Sequence, residues 1–254
     1  MRALYDNKFI DATISTWTEN ADYPEANLQD TRLSKVYRST NDNAQNIVAS
    51  ITAGMTCSYV AIMNHNLTST ATLKIQAMDA DSFVDSNDQP DWNHASFEET
   101  ITITDYMIVH NFTEQTYTHW RIYIDDSTTE GYIQIGGVYL GTFLQMPYMA
   151  PNQEIGYNTR SRVSYSESGQ VYGDGAYNYR EPKIKFSYLN ETDRTGMKTM
   201  FDEVKIYNPI ILIIWESDTR ETPIYCTITK PFKFKRSKSY THKWSAALEC
   251  REVF

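Results

Sequence analysis

The chain has 254 residues, of which 41% are hydrophobic and 22% are charged, so it can bury a core and is not intrinsically disordered. Its net charge is −9, but residues 1–141 hold 7 Lys and Arg against 19 Asp and Glu, whereas residues 142–254 hold 16 against 13. The acidic part is a poor candidate for nucleic-acid binding, because phosphate contacts need cations. The asymmetry predicts two domains with different surroundings.

No segment predicts a signal peptide or a membrane span. Polar residues at positions 5–8 interrupt any early apolar region, and the most apolar run, residues 209–215, is far below the roughly 20 residues that a spanning helix needs.

Three widely spaced cysteines predict neither a disulfide framework nor a zinc site. Their apolar or β-branched neighbours predict buried, unreactive thiols at Cys57, Cys226 and Cys250.

Short alternating or apolar segments predict strands in the first part of the chain. They occupy residues 46–52, 57–64, 71–78, 97–104, 117–125 and 132–143. In the last of them, Gly136 and Gly137 predict a β-bulge. Many short strands and few helical windows favour a β-sandwich.

A break near residues 145–158, where Pro147, Pro151 and Gly156 interrupt the pattern, separates the second part. The clearest helix follows Asn190, a predicted N-cap, and should end at residues 208–209. Its apolar face carries Met197, Met200, Phe201 and Val204. The strands predicted around it are residues 160–165, 180–189, 210–215, 224–229 and 243–253. We therefore expect a sandwich over residues 1–145, a linker over 146–158 and a small α+β domain over 159–254, with one helix on an antiparallel sheet.

Four segments of the first part carry a family resemblance: NLQDTRLSKVYRST at 27–40, YVAIMNHNLT at 59–68, YTHWRIYID at 117–125 and YIQIGGVYLG at 132–141. In order and spacing they resemble the discoidin-like (galactose-binding-like) jelly-roll domains of phage virion proteins. The resemblance covers about residues 1–145. It implies an N-terminal jelly-roll β-sandwich.

The rest of the chain resembles the small domain of phage minor tail, tail-tip and distal-tail proteins, through Gly173-Asp174-Gly175, PKIKFSYL, MFDEV, ILIIW and SAALECREVF. This resemblance implies a structural, non-enzymatic subunit of a tail tip or baseplate. It implies a homo-oligomeric ring in contact with other tail proteins, without a cofactor and without membrane insertion. We expect it in the virion, after assembly in the bacterial cytoplasm.

The acidic stretch 79–91 is a candidate calcium loop, because hard cations take several oxygen ligands from one loop. The EF-hand pattern fails there, since Phe83 holds the fifth position and no Gly follows. A plain solvated loop is the alternative. The weak calcium candidates are Asp79, Asp81 and Asp85.

Carbohydrate binding is the alternative function, either to a host-surface glycan or to another receptor. It needs an exposed aromatic side chain beside convergent polar groups. Trp92 and His94 are the first glycan-contact candidates, and Trp17 and Tyr23 are the second. The structural alternative is that Trp92 only anchors a long loop.

A basic, aromatic run spans residues 230–243. We expect a subunit contact through charge complementarity, with a solvated basic face and a nucleic-acid site as alternatives. The subunit-contact candidates are Lys233, Lys235, Arg236 and Lys238.

No catalytic motif occurs, and none of the five His residues is paired at ligand spacing, so an enzyme such as a glycan hydrolase is not expected.

Overall fold

The computed structural model describes residues 1–79, 91–104, 107–127, 130–147, 149–151, 153–215, 223–236 and 243–254. One α-helix, α1 (Glu191–Val204), lies within this part of the chain, with 3-10 turns at Lys8–Asp11, Glu25–Gln29 and Trp92–His94. The strands are β1 (Arg2–Leu4), β2 (Thr13–Thr16), β3 (Tyr37–Arg38), β4 (Gln45–His65), β5 (Thr72–Met78), β6 (Phe97–Thr100), β7 (Met107–Asp125), β8 (Gln134–Gly141), β9 (Leu144–Gln145), β10 (Glu154–Thr159), β11 (Val163–Tyr165), β12 (Val171–Gly173), β13 (Asn178–Leu189), β14 (Ile210–Ile213), β15 (Ile224–Ile228), β16 (Lys235–Arg236) and β17 (Trp244–Glu252).

Residues 6–143 form one compact unit, called here the sandwich unit. Its strands follow the order β3-β8-β4-β7-β5-β6, and β2 also pairs with the first half of β4. The long strands β4 and β7 are antiparallel along most of their length, with register shifts between Ser50 and Met55 and between Cys57 and Tyr59. Gly54, with φ of 81°, allows the chain to turn inside the first shift. The first half of β4 can therefore pair with β2 and the second half with β8.

Alternation along the bent strands places the core. Ile47 and Ala49 of β4 and Trp120, Ile122 and Ile124 of β7 point inward and are buried. They pack with Phe9, Leu28, Tyr37, Leu73 and Ile75 in one apolar cluster. The polar residues between them lie on the outer face of the same strands, which is where the candidate site is found.

The glycine pair of β8 is not a bulge. Tyr59↔Gly141 through His65↔Ile135 keep one continuous register between β4 and β8. Gly136 instead makes room for a close approach, because a Cβ there would lie 2.5 Å from the Leu33 carbonyl oxygen and 2.8 Å from the Asn64 Cβ. The Asn64 side chain donates to that same carbonyl at 2.6 Å. The glycine therefore serves loop packing rather than sheet curvature.

Residues 1–5 and 144–253 form the second unit, called here the α+β unit. Its sheet order is β10-β13-β17-β15-β14-β1-β9, with β16 beside β17. The capping box predicted for α1 is present, since the Asn190 side chain accepts from the Asp193 amide and the Asp193 carboxylate accepts from the Asn190 amide. Met197, Met200 and Val204 are buried. The helix ends four residues earlier than the proline predicts, because Lys205 turns the chain with a φ of 55°.

The units are bounded differently from the predicted division at 145 and 159. Residues 1–5 belong to the α+β unit, because β1 pairs with β14 on one side and β9 on the other. The stretch predicted as a linker, 146–158, contains most of β10, which pairs with β13. Short strands of three to six residues give too little periodicity to show such pairings in the sequence.

The predicted fold class, mostly β with antiparallel sheets and one helix on a sheet in the second part, is confirmed. All three cysteines are buried and unbridged, as predicted. The one α-helix in the described residues is too short and polar to cross a bilayer.

An ion pair with little solvent contact links the neighbouring strands β13 and β17 of the α+β sheet. The guanidinium of Arg180, on β13, and the carboxylate of Glu252, on β17, are 14% and 5% exposed and form a close pair. Glu252 also accepts from the Arg180 backbone amide at 2.8 Å. Removing one partner would leave the other charge buried.

We expect Glu252→Ala to lower the free energy of unfolding by about 3 kcal/mol, because the buried Arg180 guanidinium would lose the carboxylate that pairs with it. Chemical denaturation of the full chain measures this. The double variant Arg180→Met/Glu252→Leu should lose less than Glu252→Ala alone. A single variant as stable as the native chain would contradict the role given to the pair.

We expect Gly136→Ala to destabilise the sandwich unit by about 1–3 kcal/mol, because the new methyl group would displace the Leu33 and Asn64 contacts. Thermal unfolding measures the loss. Gly175→Ala is the matched control, since no atom lies within 4 Å of a Cβ there. Equal melting temperatures for the two variants would show that Gly136 is not constrained by its neighbours.

Candidate ligand-binding face of the sandwich unit

The outer face of the sandwich sheet carries a row of opposed residues across four strands, polar on three of them and apolar at Val48. Val48 of β4 lies opposite Arg121 of β7, which lies opposite Gln76 of β5, which lies opposite Glu98 of β6. Because directly opposed residues point to the same side, these side chains share one face. The buried alternate residues of β7 hold this face in place from beneath.

Arg121 is at the centre of a hydrogen-bonded network on this face. Its Nε donates to Gln76 Oε1 at 2.7 Å, and its Nη1 donates to Asn46 Oδ1 at 3.3 Å. Gln76 is only 4% exposed and donates onward to the Glu98 carboxylate at 2.5 Å. Glu98 also pairs with Lys74 at 2.9 Å. Each buried polar group of the row therefore has a partner, which fixes the geometry of the face.

The electrostatics of the row follow from burial and pairing. Burial lowers the pKa of Arg121 to about 10, against the opposing influence of Tyr123 and Glu98, so the guanidinium stays charged at neutral pH. The hydrogen bond from Lys74 lowers the pKa of Glu98, and Gln76 adds to the shift. Both charges are thus present under ordinary conditions, one at the centre and one at the rim.

Trp92 covers the centre of the row. The Arg121 Cζ lies 4.9 Å from the Trp92 ring centroid, and Gln76 donates to the Trp92 carbonyl at 3.4 Å. This is a cation–π contact of the kind that stabilises a planar guanidinium against indole. Trp92 is half-buried. Its ring contacts Arg121 of the same unit, so Trp92 has a structural role in addition to the proposed ligand contact.

His94 lies at the end of the same 3-10 turn and is exposed. Its Nδ1 lies 3.0 Å from Asp91 Oδ2, and Asp91 also accepts from the Asn93 backbone amide at 3.1 Å. These contacts lower the pKa of Asp91, chiefly through the Asn93 amide and then through His94. His94 therefore closes the turn that positions Trp92, beside the row rather than within it.

Trp17 joins this face from the opposite side. Its amide donates to the Asn46 carbonyl at 3.1 Å, which continues the β2–β4 register by one residue beyond Thr16↔Ile47. Since Ile47 points inward, the Trp17 side chain points outward, and it is 65% exposed. Tyr123, opposite Asn46 on β7, continues the row, and its ring centroid lies 5.3 Å from the Arg121 Cζ.

Trp17, Tyr123, Arg121 and Trp92 together are called here the aromatic face. β2 and β7 lie two interstrand spacings apart, about 10 Å, so the face is wide enough for more than one small ring. Sequence reasoning proposed Trp17 and Trp92 separately. It missed Arg121, Gln76 and Tyr123, although the alternation of segment 117–125 already placed Arg121 and Tyr123 on one side.

Tyr23, the other second-rank glycan candidate, packs against Arg38. Arg38 is held between two rings, with its Cζ 4.1 Å from the Tyr23 centroid and 4.7 Å from the Tyr132 centroid. The Arg38 Nε donates to Gln134 Oε1 at 2.9 Å. Tyr23 therefore uses a ring face to hold Arg38.

The calcium candidates are not assembled into a site by the described residues. Asp79 accepts from the Thr118 backbone amide at 3.0 Å. Asp81 and Asp85 lie outside the described residues. In the ranges that the structure covers, no group of three or more metal-binding side chains occurs.

The basic candidates are divided by the structure of the α+β unit. Lys233 and Lys235 are exposed and border one groove. Arg236, on β16, turns toward Trp244, with its Cζ 6.0 Å from that ring centroid. Lys238 lies outside the described residues. Phe232 and Phe234, which interleave the lysines in sequence, pack against the core.

Comparison with known proteins gives structural neighbours only, since no protein-family model and no curated protein matches the chain. A family 32 carbohydrate-binding module of Clostridium perfringens NanJ, solved with galactose, is 13% identical with a TM-score of 0.41, over 55% of this chain and 98% of its own. A Streptococcus pneumoniae fucose-binding module is 12% identical with a TM-score of 0.41, over 55% of this chain and 99% of its own. Chitosan-binding module 1 of a Paenibacillus chitosanase/glucanase is 15% identical with a TM-score of 0.42, over 53% of this chain and 97% of its own.

At these identities and TM-scores, the likeness carries no conclusion about what this chain binds. The structures named are carbohydrate-binding modules, the class to which the galactose-binding-like part of the sequence resemblance points. None of them is a phage tail protein. The tail-protein part of the resemblance therefore has no support from the comparisons.

Proposed function

We propose that the sandwich unit binds carbohydrate through the aromatic face. The observation that carries the proposal is the exposed indole of Trp17, placed by register on the same face as Asn46, Tyr123 and Arg121. The C–H faces of a sugar ring pack on an aromatic ring, while its hydroxyl groups need hydrogen-bond partners beside that ring. Asn46, Arg121 and Glu98 supply such partners, and hydrogen bonds that connect them, through Gln76 in the case of Glu98, hold them in position before a ligand arrives.

Trp17 is the sharper test residue of the two tryptophans. Trp92 covers Arg121 and Gln76, so its removal disturbs the network as well as any ligand contact. Trp17 is largely exposed, so its removal costs little folding energy. Its loss should therefore separate binding from stability.

We expect the full chain to bind a glycan, tested by calorimetry with galactose, fucose and chitosan oligomers, the ligands of the modules named above. Trp17→Ala should weaken the affinity about five- to tenfold, since one aromatic contact contributes about 1–1.5 kcal/mol. Tyr188→Ala, an exposed aromatic residue of the α+β unit, is the control and should leave the affinity unchanged. A folded native chain that binds none of these glycans, or Trp17→Ala with native affinity, would contradict the proposal.

A second candidate is the structural role implied by the sequence resemblance, a tail-tip or baseplate subunit in a closed ring. The observation that favours it is the hairpin β11–β12, which pairs only with itself among the described strands. It exposes Val163, Tyr165, Val171 and Tyr172, each by more than half of its surface. Isolated two-stranded hairpins are only marginally stable in water, so a partner surface would stabilise this one.

This role predicts that the full chain self-associates. Light scattering coupled to size exclusion should give a mass that rises above the 29.4 kDa of one chain as concentration increases. A single-chain mass at every concentration would contradict it. A non-enzymatic chain and a location in the virion stay predictions.

A further inference from the structure

A groove of about 590 Å³ lies on the exposed side of the α+β sheet, and neither candidate function uses it. It is bordered by β13, β17 and the segment that joins β15 to β16. Four ammonium groups line it, those of Lys185, Lys230, Lys233 and Lys235. Among the described residues, Glu249 supplies the one carboxylate in the lining.

The fold brings these lysines together from three separate segments. Lys185 lies opposite Ala247 in the β13–β17 register, which places it on the exposed side of the sheet. Lys235 lies opposite Ser245 on the other side of β17. Between Ile228 and Lys235 the chain leaves β17, and Lys230 and Lys233 line the opening so formed. Sequence alone shows the run 230–243 but not the contribution of Lys185.

The charge of the groove is only partly compensated. Lys230 pairs with Glu249 at 2.7 Å. The other three lysines have no further described carboxylate in the lining. Ala247, which lies between Lys185 and Lys235, has a small side chain. An acidic side chain could therefore approach the ammonium groups of Lys185, Lys233 and Lys235. A concentration of one sign of charge attracts a surface of the opposite sign.

The same chain carries such a surface. Residues 6–143 hold 19 Asp and Glu against 6 Lys and Arg. Exposed examples on the sandwich unit are Asp11, Glu19, Asp22, Glu114 and Asp125. The α+β unit carries the opposite balance, with 17 Lys and Arg against 13 Asp and Glu in residues 1–5 and 144–253. A surface of one sign meeting a surface of the other sign on the next copy gives a head-to-tail contact.

We propose that the lysine groove binds carboxylates on the sandwich unit of a second copy of this chain. The inference rests on the structural role and gives that role a specific contact. Such a contact uses two different surfaces, so an open assembly keeps one free groove at one end and one free acidic surface at the other end until a ring closes. Because the contact is between exposed charges, its strength falls as salt rises.

The test is sedimentation velocity of the full chain at about 50 mM and about 500 mM NaCl, conditions that change the screening length severalfold. Self-association should weaken at least about tenfold at the higher salt. Lys233→Glu and, separately, Lys185→Glu should weaken it at least about tenfold at the lower salt. Lys198→Glu is the matched control, since it makes the same change of net charge on the exposed side of α1.

The outcomes separate the two proposals. Self-association that is unchanged in Lys233→Glu and Lys185→Glu, both folded by thermal unfolding, would overturn the groove contact while the structural role survives. A native chain that is monomeric at low salt would overturn both. A monomeric chain that binds polyglutamate through these lysines would show a groove for a different acidic protein and would overturn the second copy as its occupant.

Discussion

The pairing of β4 with β7 is the constraint on which the sandwich unit depends. These two strands run together for most of their length, and their register shifts let one half of β4 meet β2 and the other half meet β8. The inner residues of that pair form the core, and the outer residues form the polar row. Arg121 and Tyr123 of the aromatic face are therefore held by the core beneath them, because they alternate with the buried residues of β7.

The α+β unit depends on a different constraint, the placement of three residues from the start of the chain. β1 fills a position inside the sheet, between β14 and β9, and Ala3 and Leu4 are fully buried there. Without β1, the apolar strand β14 would present an open edge. The hydrophobic cluster around α1, Phe186 and Leu248 is thus completed by residues more than 180 positions away from it in sequence.

Sequence reasoning succeeded where periodicity is strong and local. The helix start at Asn190, its buried face and the strand character of segments 57–64 and 117–125 could all be found from spacing alone. It did not predict strands whose pairing partners are distant in sequence, because β1 and β10 are too short to show a strand pattern. At the candidate site it found Trp92 and Trp17 by residue type. It could not join them, because only the register through Asn46 and Arg121 places them on one face.

The β1–β9 pair makes the sandwich unit a replaceable module. Arg2 lies opposite Gln145 and Ala3 opposite Leu144, so the chain leaves the α+β sheet and returns to it on neighbouring antiparallel strands. Those strands are about 5 Å apart, the separation that a tight turn spans. Residues 6–143 are thus an insertion in the sequence between two neighbouring strands of the α+β sheet. Recombination could exchange that insert for another module, or for a few turn residues, while every strand of the host sheet kept its neighbours.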